Sequence, residues 1–69
     1  MTITFRNPAT KWGWSIESRA DIITALMGYS AFDTVYEGFI EEAIDQAAQD
    51  RAEYEDIEEL AKHLLENYI

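Results

Sequence analysis

Cysteine is absent from the sequence, which excludes both a disulfide framework and a thiolate metal site. Histidine occurs once, at His63, and neither a thiol nor a serine–base pair accompanies it to support nucleophilic catalysis. No apolar run approaches the roughly 20 residues that cross a bilayer, and the first residues lack the pattern of a signal peptide. We therefore expect a cytoplasmic, non-enzymatic protein that needs no cofactor and no metal.

Basic residues are scarce: five Lys and Arg residues stand against 14 Asp and Glu residues, and the formal net charge is −9. Residues 1 to 35 carry equal numbers of each sign. The whole net charge therefore belongs to residues 36 to 69, where eleven acids face Arg51 and Lys62. A field of this sign repels nucleic acid and anionic membranes and attracts basic proteins. We expect no direct binding to nucleic acid or membrane, and a partner with a basic surface.

The N-terminal segment has the period of a half-buried β-strand. Ile3 and Phe5 alternate with polar residues, and Trp12, Trp14 and Ile16 do the same after a turn-forming stretch at residues 7 to 10. This pattern predicts a β-hairpin. Aromatic residues make up 13% of the 69 residues and hydrophobic residues 48%, so the chain has the composition of one folded domain over residues 1 to 69.

Three helices are predicted after the hairpin. Ser18 and Asp21 have capping-box spacing for a helix that begins near Arg19, and Gly28 is a typical stop. The second helix has three candidate caps and a broad apolar face. The caps are Ser30, Asp33 and Thr34, and the apolar face contains Val35, Tyr36, Phe39, Ile40, Ala43, Ile44 and Ala47.

The third helix is predicted from about Asp56, with a regular apolar face at Ile57, Leu60, Ala61, Leu64, Leu65 and Tyr68. The same spacing runs back through residues 50 to 55, so one unbroken helix is an alternative. In such a helix, Asp50 and small alanines would occupy the contact face, where a coiled coil needs bulky apolar residues. This favours a break near residues 50 to 55. The predicted fold class is α+β: an N-terminal β-hairpin followed by three helices, the last two strongly amphipathic and acidic.

Carboxylates dominate the polar face of the second helix. Glu37, Glu41 and Asp45 are four residues apart and stack at about 6 Å per step, with Glu42 beside them. Such a face is either a solvated surface that maintains solubility or a partner surface that imitates the phosphate ladder of nucleic acid. The candidate partner-binding residues are Glu37, Glu41, Glu42, Asp45, Asp50, Glu53, Glu55 and Asp56, with Tyr36 and Tyr54 as aromatic anchors.

Two stretches resemble small anti-defence proteins of phages and mobile elements. Residues 36 to 39 (YEGF) lead into the acidic helix, and residues 54 to 61 (YEDIEELA) follow it. Both are similar to stretches of ArdA-type antirestriction proteins, which act as DNA mimics. Small acidic anti-CRISPR proteins block the recognition surfaces of effector complexes. The resemblance implies an inhibitor in the host cytoplasm whose acidic helix face occupies a basic nucleic-acid-binding surface of a restriction or CRISPR effector.

Alternatives from other classes remain open. Residues 28 to 35 (GYSAFDTV), followed by Glu41 and Glu42, are similar to the acyl carrier protein pattern, which implies a phosphopantetheine arm on Ser30. Ser30 is otherwise a helix cap. Trp12 and Trp14 either cover the core or form an exposed interface, and the latter would suit a small acidic structural module or a homodimer.

Overall fold

The computed structural model describes residues 3 to 69. Within this range the chain forms two short strands, three α-helices and a 3₁₀ turn. In chain order these are β1 (Thr4–Phe5), α1 (Arg19–Met27), the 3₁₀ turn (Ser30–Phe32), α2 (Glu37–Asp50), β2 (Glu53–Tyr54) and α3 (Ile57–Asn67). The predicted α+β class is confirmed, and none of the helices in residues 3 to 69 combines the length and apolar character needed to cross a membrane.

The two strands lie side by side although they are far apart in the sequence. β1 and β2 are parallel, with Thr4 opposite Glu53 and Phe5 opposite Tyr54. The backbone N–H of Thr4 donates to Ala52 O at 2.8 Å. The predicted hairpin is therefore wrong: β1 pairs with β2, after α2, and not with the segment that follows it in the chain. The backbone groups of β2 satisfy those of β1.

The predicted second hairpin strand is largely a loop. Its pairing is reduced to one antiparallel bridge between Ala9 and Ser15. Thr10 closes the loop, since both its N–H and its hydroxyl donate to Trp14 O at 2.8 Å. Gly13 has a φ of +93°, a conformation that favours glycine. The alternation of Trp12, Trp14 and Ile16 thus reflects a tight loop that packs on the core, and not an extended strand.

The first helix follows the predicted capping box. The Asp21 carboxylate accepts the N–H groups of Glu17 at 2.8 Å and Ser18 at 3.1 Å, while the Ser18 hydroxyl accepts the N–H of Asp21. Gly28 ends the helix. The helix buries Ile22, Ala25 and Leu26, whereas Met27 is 47% exposed.

The second helix begins later than predicted. Its N-cap is Tyr36, which makes no side-chain cap, and none of the three candidate caps is used. The 3₁₀ turn intervenes because Phe32 inserts into the core and is 2% exposed there. α2 ends at Asp50, which confirms the predicted break before α3. The buried residues of α2 are Ile40, Ala43, Ile44, Ala47 and Ala48.

The third helix is capped by Asp56, whose carboxylate accepts the N–H of Glu59 at 2.9 Å. It buries most of its predicted apolar face, namely Ile57, Leu60, Ala61 and Leu64. Tyr54 lies between α2 and α3 at 1% exposure and donates its hydroxyl to Ala47 O at 3.2 Å. The three helices and β2 therefore close one core, which leaves the polar face of α2 at the surface.

Candidate partner-binding surface

The polar face of α2 exposes a row of carboxylates. Glu37, Glu41 and Glu42 are all exposed, and none of them forms an ion pair within residues 3 to 69. Asp45 differs, because Arg19 Nη1 lies 2.7 Å from its Oδ1 and Arg19 Nη2 donates to Glu41 O at 3.2 Å. Arg19 thus compensates the charge of Asp45 at the end of the predicted row. Within residues 3 to 69, no cation pairs with the other three acids of the row.

The predicted outer acids have mixed roles. Glu53 pairs with Arg6 at 3.1 Å across the parallel sheet, and Asp56 caps α3. Glu55 is exposed, and its backbone N–H donates to Glu59 Oε2 at 3.2 Å. Glu53 and Asp56 are therefore engaged in the fold, so the free charge of this surface is concentrated on α2.

Asp50, the remaining outer acid, lies beside the histidine. His63 Nε2 is 3.9 Å from Asp50 Oδ2 and has no hydrogen-bond partner. The ring packs against Tyr54 and Tyr68 with centroid separations of 5.6 and 5.8 Å, and Asn67 Nδ2 lies 3.2 Å from Nδ1. These contacts join the ends of α2 and α3. In residues 3 to 69, no group of three or more His, Asp or Glu side chains is arranged to hold a metal ion.

The two predicted aromatic anchors are in opposite environments. Tyr36 is 74% exposed, as an anchor requires, whereas Tyr54 is buried and unavailable to a partner. The Tyr54 prediction is therefore wrong: its ring fills the space between α2 and α3. Burial raises the pKa of Tyr54, with a smaller opposing effect from Arg51, whose guanidinium lies 4.2 Å above the ring. Desolvation penalises the charged phenolate, so the folded state favours the neutral side chain.

Phe39 belongs to the surface, although the sequence places it on the apolar face of α2. It is 64% exposed, and its ring contacts Tyr36 edge-to-face at a centroid distance of 6.4 Å. The predicted face covered about half the helix circumference, but the core covers a narrower stripe centred on Ile40, Ala43 and Ala47. The late start of α2 also places both aromatic residues at its first turn. That start could not be read from the sequence.

The tryptophans form a separate cluster. Trp14 is half-buried against the core, whereas Trp12 is 41% exposed and stacks on it at 6.2 Å. Trp12 also meets the edge of Tyr29 at 5.3 Å, and Lys11 Nζ lies 4.5 Å above the Tyr29 ring. A Cβ at Gly28 would lie 2.6 Å from Trp12 Cζ2, so the glycine makes room for the indole. Lys11 of the same chain therefore occupies the cation-binding face of this aromatic cluster.

Ser30 begins the 3₁₀ turn and is exposed. Its carbonyl accepts the N–H of Asp33 at 3.1 Å, and the turn has Tyr29 as its N-cap. The interpretation of Ser30 as the cap of the second helix is therefore incorrect.

Comparison with known proteins gives no match: no family model fits the chain, and no curated protein or solved structure is detectably similar to it.

Proposed function

We propose that this chain is a non-enzymatic inhibitor of the phage anti-defence type. It docks the acidic face of α2 on a basic nucleic-acid-binding surface of a restriction or CRISPR effector. The observation that carries the proposal is the exposure of Glu37, Glu41 and Glu42 without an ion-pair partner in residues 3 to 69. Glu37 lies in the first turn, where an acid complements the helix dipole. Like charges four residues apart destabilise an isolated helix, so helix stability does not account for Glu41 and Glu42.

The geometry of α2 suits a competitor of nucleic acid. Glu37 and Glu41 are separated by about 6 Å along the axis, nearly twice the roughly 3.4 Å per charge on each strand of duplex DNA. The row therefore resembles the phosphates in the sign and linear order of its charges and not in their spacing. The helix is held by five buried residues and by the contact between Arg19 and Asp45, so its carboxylates are carried on a rigid element. A groove of Lys and Arg side chains that binds phosphates would bind this row with the same release of counterions.

Charge steering gives the proposal a measurable signature. Association of an acidic chain with a basic surface is fast at low salt and weakens steeply as salt is added. The inhibitor and duplex DNA should also exclude each other from the effector, because both need the same cationic groove. The competition distinguishes a mimic from a protein that binds elsewhere on the effector.

The test uses two variants with equal changes in charge. Glu41→Lys with Glu42→Lys reverses the charge at two positions of the exposed row, and neither side chain forms an ion pair within residues 3 to 69. Glu17→Lys with Glu66→Lys is the control, since both residues are exposed and lie outside α2. Asp45 is left intact because Arg19 depends on it.

Tagged wild-type chain is used to capture partners from cells that carry restriction and CRISPR systems, with elution by a salt gradient. We expect a nucleic-acid-binding effector that elutes at moderate salt and is released by added duplex DNA. The control variant should capture it and the α2 variant should not. Equal capture by both variants, or a captured effector that DNA does not displace, would contradict the proposal.

A further inference from the structure

A cleft lies at the first turn of α2, beside the acidic face. Its volume is about 320 Å³, and it is lined by Thr34, Val35, Tyr36, Phe39, Tyr68 and Ile69. This volume is near the lower end of the roughly 300–1,000 Å³ of ligand pockets, which suits an inserted side chain. Four of these residues are large, apolar and exposed, and contiguous exposed apolar surface of this kind marks interaction sites.

Gly38 leaves room for the Tyr36 ring, because it carries no side chain. A Cβ at this position would lie 2.8 Å from Tyr36 Cε2, closer than real Cβ contacts. Glycine is unfavourable inside a helix, yet the second residue of α2 is a glycine that lies against an exposed ring. In the chain alone, the Tyr36 ring therefore already lies edge-to-face against Phe39, with the ring centroids 6.4 Å apart.

The charge around the cleft selects the occupant. Glu37 follows Tyr36 directly, and Glu42 lies one turn from Phe39 on the neighbouring part of the helix surface. A second copy of the chain would bring a second charge of −9 to the same place, and like charges oppose such contact. A cation with a flat face is favoured instead, because it can both stack on an aromatic ring and pair with a carboxylate.

We propose that the cleft formed by Tyr36 and Phe39 binds an arginine side chain of the basic partner, with the guanidinium stacked on the Phe39 ring and paired with Glu42 or Glu37. The chain uses the same chemistry internally, since Arg51 lies over Tyr54 and Lys11 over Tyr29. This inference rests on the proposed binding to a basic surface and identifies the residue type that anchors it. Arginine is favoured over lysine by its planar fork of donors.

The test compares two fluorescent peptides of equal length and charge, one with arginine and one with lysine at every basic position, both titrated against the full chain. Fluorescence anisotropy gives the two affinities at several salt concentrations. We expect the arginine peptide to bind more tightly, by no more than about two- to fivefold, because that range is the whole contribution of a cation–π contact at an exposed site and lysine retains part of it. Phe39→Ala should abolish this preference. Met27→Ala is the matched control, because Met27 is an exposed apolar residue outside the cleft.

Gly38→Ala tests the placement of the Tyr36 ring. The new methyl group displaces the ring, which is free to rotate into solvent, while alanine favours the helix. We expect the arginine preference to fall although the melting temperature does not. A lower arginine preference at an unchanged melting temperature would show that Gly38 acts through the position of the Tyr36 ring, because a folding defect would also lower the melting temperature.

Equal affinities for the two peptides, or a preference that survives Phe39→Ala, would overturn the proposed arginine site. A wild-type dimer that Phe39→Ala converts to a monomer, measured by sedimentation, would also overturn it by showing that a second copy covers the cleft. The salt dependence reports separately on the acidic face. An affinity that salt leaves unchanged would contradict the proposed function, whereas the arginine preference is tested by the comparison of the two peptides and by Phe39→Ala.

Discussion

Replacing Tyr54 by phenylalanine should lower the free energy of unfolding by about 1 kcal/mol. The hydroxyl donates to Ala47 O at 3.2 Å in a site that is 1% exposed, and a hydrogen bond of this kind contributes about 0.5–1.5 kcal/mol net. Ala47 O also accepts the N–H of Arg51 at 2.8 Å. The carbonyl therefore keeps a partner in the variant, which avoids the larger penalty of an unsatisfied buried group.

Tyr54→Ala removes the ring as well and should be far more damaging. Truncating a buried aromatic side chain costs about 3–5 kcal/mol, because a cavity remains where the ring packed. A domain of 69 residues has a total stability of roughly 3–10 kcal/mol. We therefore expect the alanine variant to lose between about a third and all of this stability, while the phenylalanine variant loses only a small part of it.

Urea unfolding followed by circular dichroism measures both effects. Fluorescence of Trp12 and Trp14 supplies an independent probe of the same transition. For Tyr54→Phe the melting temperature should fall by about 4–8 °C. Tyr36→Phe, at an exposed tyrosine, should change neither quantity. A fully stable Tyr54→Ala variant would refute the reasoning, since Tyr54 would then not support the contact between α2 and α3.

Three further outcomes follow from named contacts. Burial raises the pKa of Tyr54 above its ordinary value of 10.0, so the neutral ring contributes stability below about pH 10 that is lost as the pH rises further; Tyr54→Phe should lose less stability in urea titrations above that pH. Ser18→Ala removes half of the capping box of α1 and should cost about 0.5–2 kcal/mol, whereas Ser30→Ala should have almost no effect on urea unfolding, because Ser30 caps no helix. Arg19→Ala breaks an exposed ion pair with Asp45 and should cost about 0.2–1 kcal/mol, with the difference in stability shrinking in 1 M salt.

The helices were predictable because their signals are local. The capping box of Ser18 and Asp21 and the regular apolar spacing after Asp56 each lie within one element, where backbone and side-chain geometry act over a few residues. The break before β2 was predicted from the poor seam that Asp50 would give a continuous helix. Each of these features follows from which residues are three or four positions apart.

The sheet was not predictable in this way. Alternation identified Phe5 as part of a strand but did not identify its partner, because any neighbouring strand satisfies the same pattern. Tyr54 was assigned to the surface because it lies in a polar segment. Its burial depends on the pairing of that segment with β1 and on the packing of two helices around it.

The candidate surface was predicted in part for the same reason. Helical spacing correctly placed Glu37, Glu41 and Glu42 on the exposed face of α2. The partner of Asp45 lies 26 residues earlier, on α1, and no local pattern identifies it. The exposure of Phe39 depends on how far the core extends along α2, which is set by the packing of the other helices.

Four of the nine acids outside α2 have structural roles, as does Asp45 on α2, and these acids are not available to a partner as free charges. Two acids cap helices and three pair with arginines; they are Asp21, Asp56, Asp45, Glu53 and Glu59. Of the three exposed glutamates on α2, Glu37 lies in the first turn and complements the helix dipole. Glu41 and Glu42 neither cap a helix nor pair with an arginine in residues 3 to 69, so they serve either solubility or binding. Solubility depends on net charge wherever it lies, whereas binding depends on its position.

Moving the charge separates these explanations. Glu41→Gln and Glu42→Gln combined with Ala20→Glu and Ala31→Glu keeps the net charge of −9, and both new acids occupy exposed positions away from α2. Ala20 lies in the first turn of α1, where an acid also complements the helix dipole. We expect unchanged solubility, measured by precipitation with ammonium sulfate, together with loss of the captured effector. Full capture by this relocated variant would mean that the α2 carboxylates act through net charge alone, because their place on the surface would then be immaterial.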